Sequence, residues 1–139
     1  MRNLSDIIYN QKPLTMQQTA TVKSACQKMK ERRAGSVLVT DENGALVGIF
    51  TGRDAVCRVL ALGKNASKTT ISQTMTSNPT TMTPDKTAVD ALHLMWSGGF
   101  RHVPVFEDGK VLGVVSRGDF KGDEHLRLEE ERGLWEIMR

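Results

Sequence analysis

The chain repeats itself. Pro13-Leu14-Thr15-Met16 recurs as Pro79-Thr80-Thr81-Met82, and at the same offset Thr21, Ala25, Met29, Val37 and Val39 recur as Thr87, Ala91, Met95, Val103 and Val105. After a one-residue deletion in the next turn, Gly44, Gly48 and Asp54 recur as Gly109, Gly113 and Asp119. Even the lead-ins correspond, Leu4-Ser5-Asp6-Ile7-Ile8 with Ile71-Ser72-Gln73-Thr74-Met75. So many matches in register point to two copies of one supersecondary unit. A unit of this size buries too little surface to be stable alone, whereas two copies packed together can share a core.

Within each copy the local patterns agree. Val22, Ala25, Cys26 and Met29 fall at i, i+3, i+4 and i+7, as do Ala88, Ala91, Leu92 and Met95, which predicts two helices with one apolar face each. A short extended piece with Pro or Thr precedes each helix and suits a strand followed by a cap. After each helix comes a β-rich run, Ser36-Val37-Leu38-Val39-Thr40 or His102-Val103-Pro104-Val105-Phe106. Turn chemistry follows in Asp41-Glu42-Asn43-Gly44 and Glu107-Asp108-Gly109, then a second apolar strand, Leu46 to Phe50 or Val111 to Val115. A further helix is expected from about Asp54 to Leu62, stopped at Gly63. A charged one follows Asp119, with Leu126, Leu134, Trp135 and Met138 as anchors. Each copy therefore reads β-α-β-β-α, a mixed α/β (α+β) chain. The boundaries fall at 4–63 for the first repeat and 71–122 for the second. Residues 64–78, rich in Ser, Thr, Asn and Lys, form the linker and lead-in, and 123–139 an amphipathic helix docking on its own module or a partner.

Composition closes off other classes. In 139 residues no run approaches the ~18 apolar residues of a membrane span, and the N-terminal charge has no apolar run behind it, so a cytoplasmic location is expected. The net charge of +3 is modest and the Lys and Arg are scattered, which disfavours nucleic acid. Cys26 and Cys57 lack metal spacing and read as two small buried residues. His93, His102 and His125 form no ligand pair, so no metal is expected. With no nucleophile–base pair, metal cluster or P-loop, the chain does not read as an enzyme. Trp96 and Phe100 read as packing residues, between the repeats or in a dimer.

The chemistry sits where each second strand ends. Gly48-Ile49-Phe50-Thr51-Gly52-Arg53-Asp54 and Gly113-Val114-Val115-Ser116-Arg117-Gly118-Asp119 share the pattern G-h-x-[ST]-x-x-D, where h is apolar. A glycine lets the backbone turn and approach a ligand closely. The hydroxyl and the free N–H groups of the next helix suit phosphate. The carboxylate three residues on can accept both hydroxyls of a ribose, and Arg53 and Arg117 lie near enough to add charge. Thr, Ser and Asp at such a junction are also ordinary helix caps.

The doubled pattern resembles the tandem CBS (cystathionine-β-synthase) domain pair, or Bateman module, over roughly Leu4 to Phe120. Both signatures fit that family's, and Phe100-Arg101-His102-Val103-Pro104-Val105 looks like its second strand in a C-terminal repeat. The resemblance implies two repeats packed with pseudo-two-fold symmetry and a cleft holding an adenine nucleotide: AMP, ADP, ATP or NAD(H). No catalytic cofactor is implied. In the second repeat it assigns Thr81 and Met82 beside the base, Arg101, His102, Val103 and Pro104 to the adenine wall, and Ser116, Arg117 and Asp119 to the sugar-phosphate. In the first repeat it assigns Thr15 and Met16, then Ser36 and Val37, then Thr51, Arg53 and Asp54. The copies differ: Leu38 stands for Pro104, Gly35-Ser36 for Arg101-His102, and the arginine is shifted one place. The implied role is an energy or redox-state sensor acting in trans on an enzyme or transporter, as a homodimer. The alternative is a ligand-free structural or oligomerisation module that binds a partner protein.

Overall fold

A computed structural model describes residues 1–138, with side chains through residue 133. The elements in chain order are α1 (Leu4–Ile7), β1 (Thr15–Gln17), α2 (Val22–Arg32), β2 (Ser36–Thr40), β3 (Leu46–Thr51) and α3 (Gly52–Asp54). A π-helical stretch, Ala55–Leu60, continues α3, and a 3-10 turn, Ile71–Gln73, leads into β4 (Thr76–Ser77). The second half has α4 (Ala88–Gly98), β5 (His102–Glu107), β6 (Lys110–Ser116), a 3-10 turn (Arg117–Asp119) and α5 (Gly122–Met138). The chain is mixed α+β; the first repeat shows the expected β-α-β-β-α order, and the second shows it with its opening strand reduced to a bridge. Among the described residues no helix is long and apolar enough to cross a membrane.

Capping explains where the two long helices begin. The Thr21 hydroxyl accepts from the Ser24 N–H at 3.1 Å, and the Thr87 hydroxyl from the Asp90 N–H at 3.1 Å. Asp90 returns the favour, its carboxylate accepting from the Thr87 N–H at 3.0 Å, which closes a capping box. The hairpins turn where the sequence suggests, with Gly44 at φ 82°, and Asp108 and Gly109 at φ 52° and 79°.

The chain divides into two compact units. One comprises residues 12–80 with 108–111, the other residues 1–11, 81–107 and 112 onward. In the first, β1 pairs parallel with β2, β2 antiparallel with β3, and β3 antiparallel with β4. Its core gathers Leu14, Val22, Ala25, Met29, Val37, Val39, Phe50, Val59 and Ile71. In the second, β5 and β6 pair, and the strand equivalent to β1 shrinks to one parallel bridge, Met82 to Val105. The cause is local: the Leu38 N–H donates to the Leu14 carbonyl at 2.9 Å, and Pro104, in Leu38's place, has no N–H to donate. The second core gathers Leu4, Ile8, Ala88, Ala91, Leu92, Met95, Val103, Val105, Val115, Phe120 and Leu128.

These units do not follow the repeats as read along the chain. The lead-in of each repeat completes the other repeat's core: fully buried Leu4 packs with α4, and fully buried Ile71 with α2. The backbone repeats the exchange. The Leu4 N–H donates to the Lys86 carbonyl and the Ala88 N–H to the Arg2 carbonyl, both at 2.9 Å. In the other unit the Ile71 N–H donates to the Ala20 carbonyl and the Val22 N–H to the Thr69 carbonyl, both at 2.8 Å. Hence the polar stretch 64–78 is no free linker. Ile71 and Thr74 are buried within it because an apolar core and backbone pairing claim them.

Two other expectations change. Cys57 is exposed and Cys26 only half-buried, and neither is bridged. On α5, Leu126 points outward while Leu128 enters the core. Leu128 shares a helix face with Glu124 and Glu131, four residues before and three after, whereas Leu126 lies off that face. Arg132, four residues further on, lies 3.9 Å over the ring of Trp96, and Glu131 bonds to His93, both partners on α4. The expected anchor side chains Leu134, Trp135 and Met138 lie outside the described residues.

Candidate functional site

Both strand-to-helix junctions form the same closed turn. In the first, one oxygen of Asp54 accepts from the Thr51 N–H at 2.9 Å and from its hydroxyl at 3.2 Å, while the Asp54 N–H donates back to that hydroxyl at 3.3 Å. In the second, one oxygen of Asp119 accepts from the Ser116 N–H at 2.7 Å and from its hydroxyl at 3.1 Å. The Gly52 N–H donates to the Gly35 carbonyl at 3.3 Å, and the Arg117 N–H to the Arg101 carbonyl at 3.0 Å. Each carboxylate therefore spends one oxygen on capping its own turn.

The remaining oxygens differ. That of Asp54 lies 3.6 Å from the Arg58 guanidinium, which also donates to the carbonyls of Thr74 and Met75 at 3.2 and 2.8 Å. Asp54 is buried, whereas Asp119 is exposed, and no residue among those described bonds its second oxygen. Four residues beyond Asp119, at Arg58's place, stands Asp123, which cannot form such a pair.

The other residues singled out divide by strand face. Ser36 pairs in register with Thr51, and Thr15 with Leu38, so Thr15, Ser36, Thr51, Arg53 and Asp54 occupy one end of the first unit's sheet. In the second unit the Met82 N–H donates to the Pro104 carbonyl at 3.0 Å and the Phe106 N–H to the Met82 carbonyl at 2.8 Å. This sets Thr81 and Met82 beside Pro104 and Val105, with Ser116, Arg117 and Asp119 at the end of β6. Met16 and Met82 are half-buried and pack against the two cores. Alternation along β2 and β5 turns the Val37 and Val103 side chains fully into the cores. Arg53, Arg101 and Arg117 are exposed and have no ion-pair partner among the described residues.

The first glycine of each signature has another cause than the one expected. A Cβ at Gly48 would lie 2.3 Å from the Met75 sulfur and 2.9 Å from the Thr76 carbonyl oxygen. At Gly113 it would lie 2.9 Å from Ile8 and 2.6 Å from the Gln11 amide oxygen, which accepts from the Val114 N–H at 2.7 Å. These glycines make room for the lead-in segment crossing the strand. Met75 and Ile8 occupy equivalent places in the two lead-ins, a correspondence visible in the repeat alignment itself.

The profile of the CBS domain family matches residues 4–60 and again 71–122. The chain belongs to the CBS domain family. A CBS domain-containing protein of Arabidopsis thaliana, CBSCBSPB2, is 42% identical over 119 residues, which cover 86% of this chain and 22% of the plant protein. The chain thus spans about a fifth of the length of that relative. A CBS domain protein from Pyrobaculum aerophilum complexed with AMP superposes with a TM-score of 0.81 at 22% identity, covering 92% of this chain and 98% of that one. A CBS domain pair in complex with 5′-methylthioadenosine and S-adenosyl-L-methionine gives a TM-score of 0.75 at 28% identity, covering 84% and 94%. Within this family framework, the two CBS signatures carry the polar groups just described. Among the described residues no cluster of His, Cys, Asp and Glu is arranged to hold a metal ion.

Proposed function

We propose that this CBS pair is a regulatory module that binds the adenosine part of a nucleotide and acts in trans, as a homodimer, on an enzyme or transporter. One observation carries the reading: Asp119 is fixed through one oxygen by Ser116 and keeps the other open at an exposed turn. A carboxylate so held can accept from a ribose hydroxyl without losing its cap. Arg101 and Arg117, exposed and without ion-pair partners among the described residues, offer charge to a phosphate nearby. The ligands named for the two CBS structures, AMP in one and methylthioadenosine with S-adenosylmethionine in the other, have adenosine in common. AMP, ADP, ATP and NAD(H) contain it too, and a module that discriminates among them would report energy or redox state.

A ligand binding the folded state alone raises the unfolding free energy by about 2.7 kcal/mol at 100-fold over its Kd. A thermal-unfolding screen against AMP, ADP, ATP, NAD, NADH and S-adenosylmethionine is expected to show such a shift with at least one of them. A flat response to all six would leave the second reading, a structural module that binds a protein partner. That reading has its own support in the exposed Val56, Leu60 and Leu62, which follow the first signature.

A further inference from the structure

Arg2 precedes the first stretch matched by the CBS profile, and Glu124 follows the second. In the folded chain they meet. The Arg2 guanidinium grips the Glu124 carboxylate through Nη2 at 2.6 Å and Nε at 3.1 Å, and its Nη2 also donates to the Asp119 carbonyl at 3.1 Å. Glu124 is only 6% exposed, and one of its oxygens also accepts from the Lys121 N–H at 2.8 Å. Arg2 is itself anchored, because its own carbonyl accepts from the Ala88 N–H in the first turn of α4. One side chain thus ties the start of α4, the start of α5 and the second signature turn together. A planar fork suits this task, since its donors point in fixed directions whereas those of an ammonium rotate on a flexible stem.

We propose that Arg2 is a positioning residue for the second signature loop, holding the Asp119 turn at the geometry with which its carboxylate meets a ribose. The inference rests on the nucleotide reading of that loop for its ligand, and on the contacts alone for the clamp. Asp119 is exposed and its turn is a single 3-10 turn between the Arg117–Arg101 backbone bond and core residue Phe120, so the Arg2 bond is what holds the Asp119 carbonyl itself. The Arg2 fork fixes the backbone and leaves the carboxylate's open oxygen untouched.

Two measurements on the full chain test this. By NMR hydrogen exchange, the Ser116 amide, bonded to Asp119, is expected to exchange about tenfold faster in Arg2→Ala, while the Thr51 amide keeps its wild-type rate as an internal control. Glu124→Gln, which removes the charge and keeps the shape, is expected to do the same and covers the case in which Arg2→Ala folds poorly. Unchanged Ser116 exchange in both variants would overturn the clamp. In binding titrations, Arg2→Ala is expected to weaken AMP about tenfold and 2′-deoxy-AMP less than about twofold, with Arg2→Lys between wild type and alanine. Equal weakening of both nucleotides would overturn the positioning role in favour of a merely structural one. If the wild type binds neither, the nucleotide reading falls, and the Ser116 amide still decides whether the clamp exists.

Discussion

Asp54 and Asp119 stand at the same place in two copies of one turn, and each uses one oxygen to cap it. Their other oxygens part company. Arg58 takes the one on Asp54 and draws that turn against the carbonyls of Thr74 and Met75. At Asp119 the latching arginine comes from outside the repeat and grips the backbone carbonyl, so the carboxylate stays open. The difference teaches that one motif can close into a structural latch in one copy and leave its acid open for the proposed ligand in the other. What decides is the residue four places on, Arg58 or Asp123. We therefore expect the nucleotide to belong to the second signature.

The sharpest way to break that comparison is to remove each acid in turn. Asp119→Ala loses hydrogen bonds from ribose hydroxyls to a charged group, each worth about 1.5 kcal/mol, so AMP affinity should fall about 100-fold in a calorimetric titration. Its unfolding free energy should fall by only about 1 kcal/mol, for the lost cap. Asp54→Ala should weigh the other way. Loss of the cap and of Arg58's partner should lower the unfolding free energy by roughly 2 kcal/mol in a urea titration, with AMP affinity kept within about threefold.

A smaller effect separates the two latches by pH. The Arg2 hydrogen bond holds the Glu124 carboxyl below the usual carboxylate range. The folded state therefore binds that proton less readily than the unfolded chain. The stabilisation is present above the ordinary glutamate value of about 4.3 and fades as pH falls through the lower folded value. Between about pH 5 and pH 3, wild type should lose more unfolding free energy than Glu124→Gln. An equal loss would mean that the pair adds nothing to the second latch.

Much of the fold was legible from the repeat. The caps Thr21 and Thr87, the hairpin turns at Gly44 and Gly109, and the helix faces through Ala25 and Ala91 are local features that local chemistry determines. The exchange of lead-ins was not legible, because Leu4 and Ile71 are apolar in either partnership and nothing nearby says which core each enters. The site divides in the same way. The signature residues were found from their spacing, while Arg58 and Asp123, four places beyond each acid, gave a readable signal that the motif alone passes over. Val37 and Val103 follow the alternation of their strands into the cores, a rule available before any coordinates. Arg2 meets Glu124 across 122 residues, and no local pattern announces such a contact.

The most direct test is the stoichiometry of AMP by calorimetry on wild type, Asp54→Ala and Asp119→Ala. One AMP per chain is expected in wild type and in Asp54→Ala, with binding weakened about 100-fold in Asp119→Ala. Two equal sites in wild type, with each variant deleting one, would contradict the division of roles between the two turns.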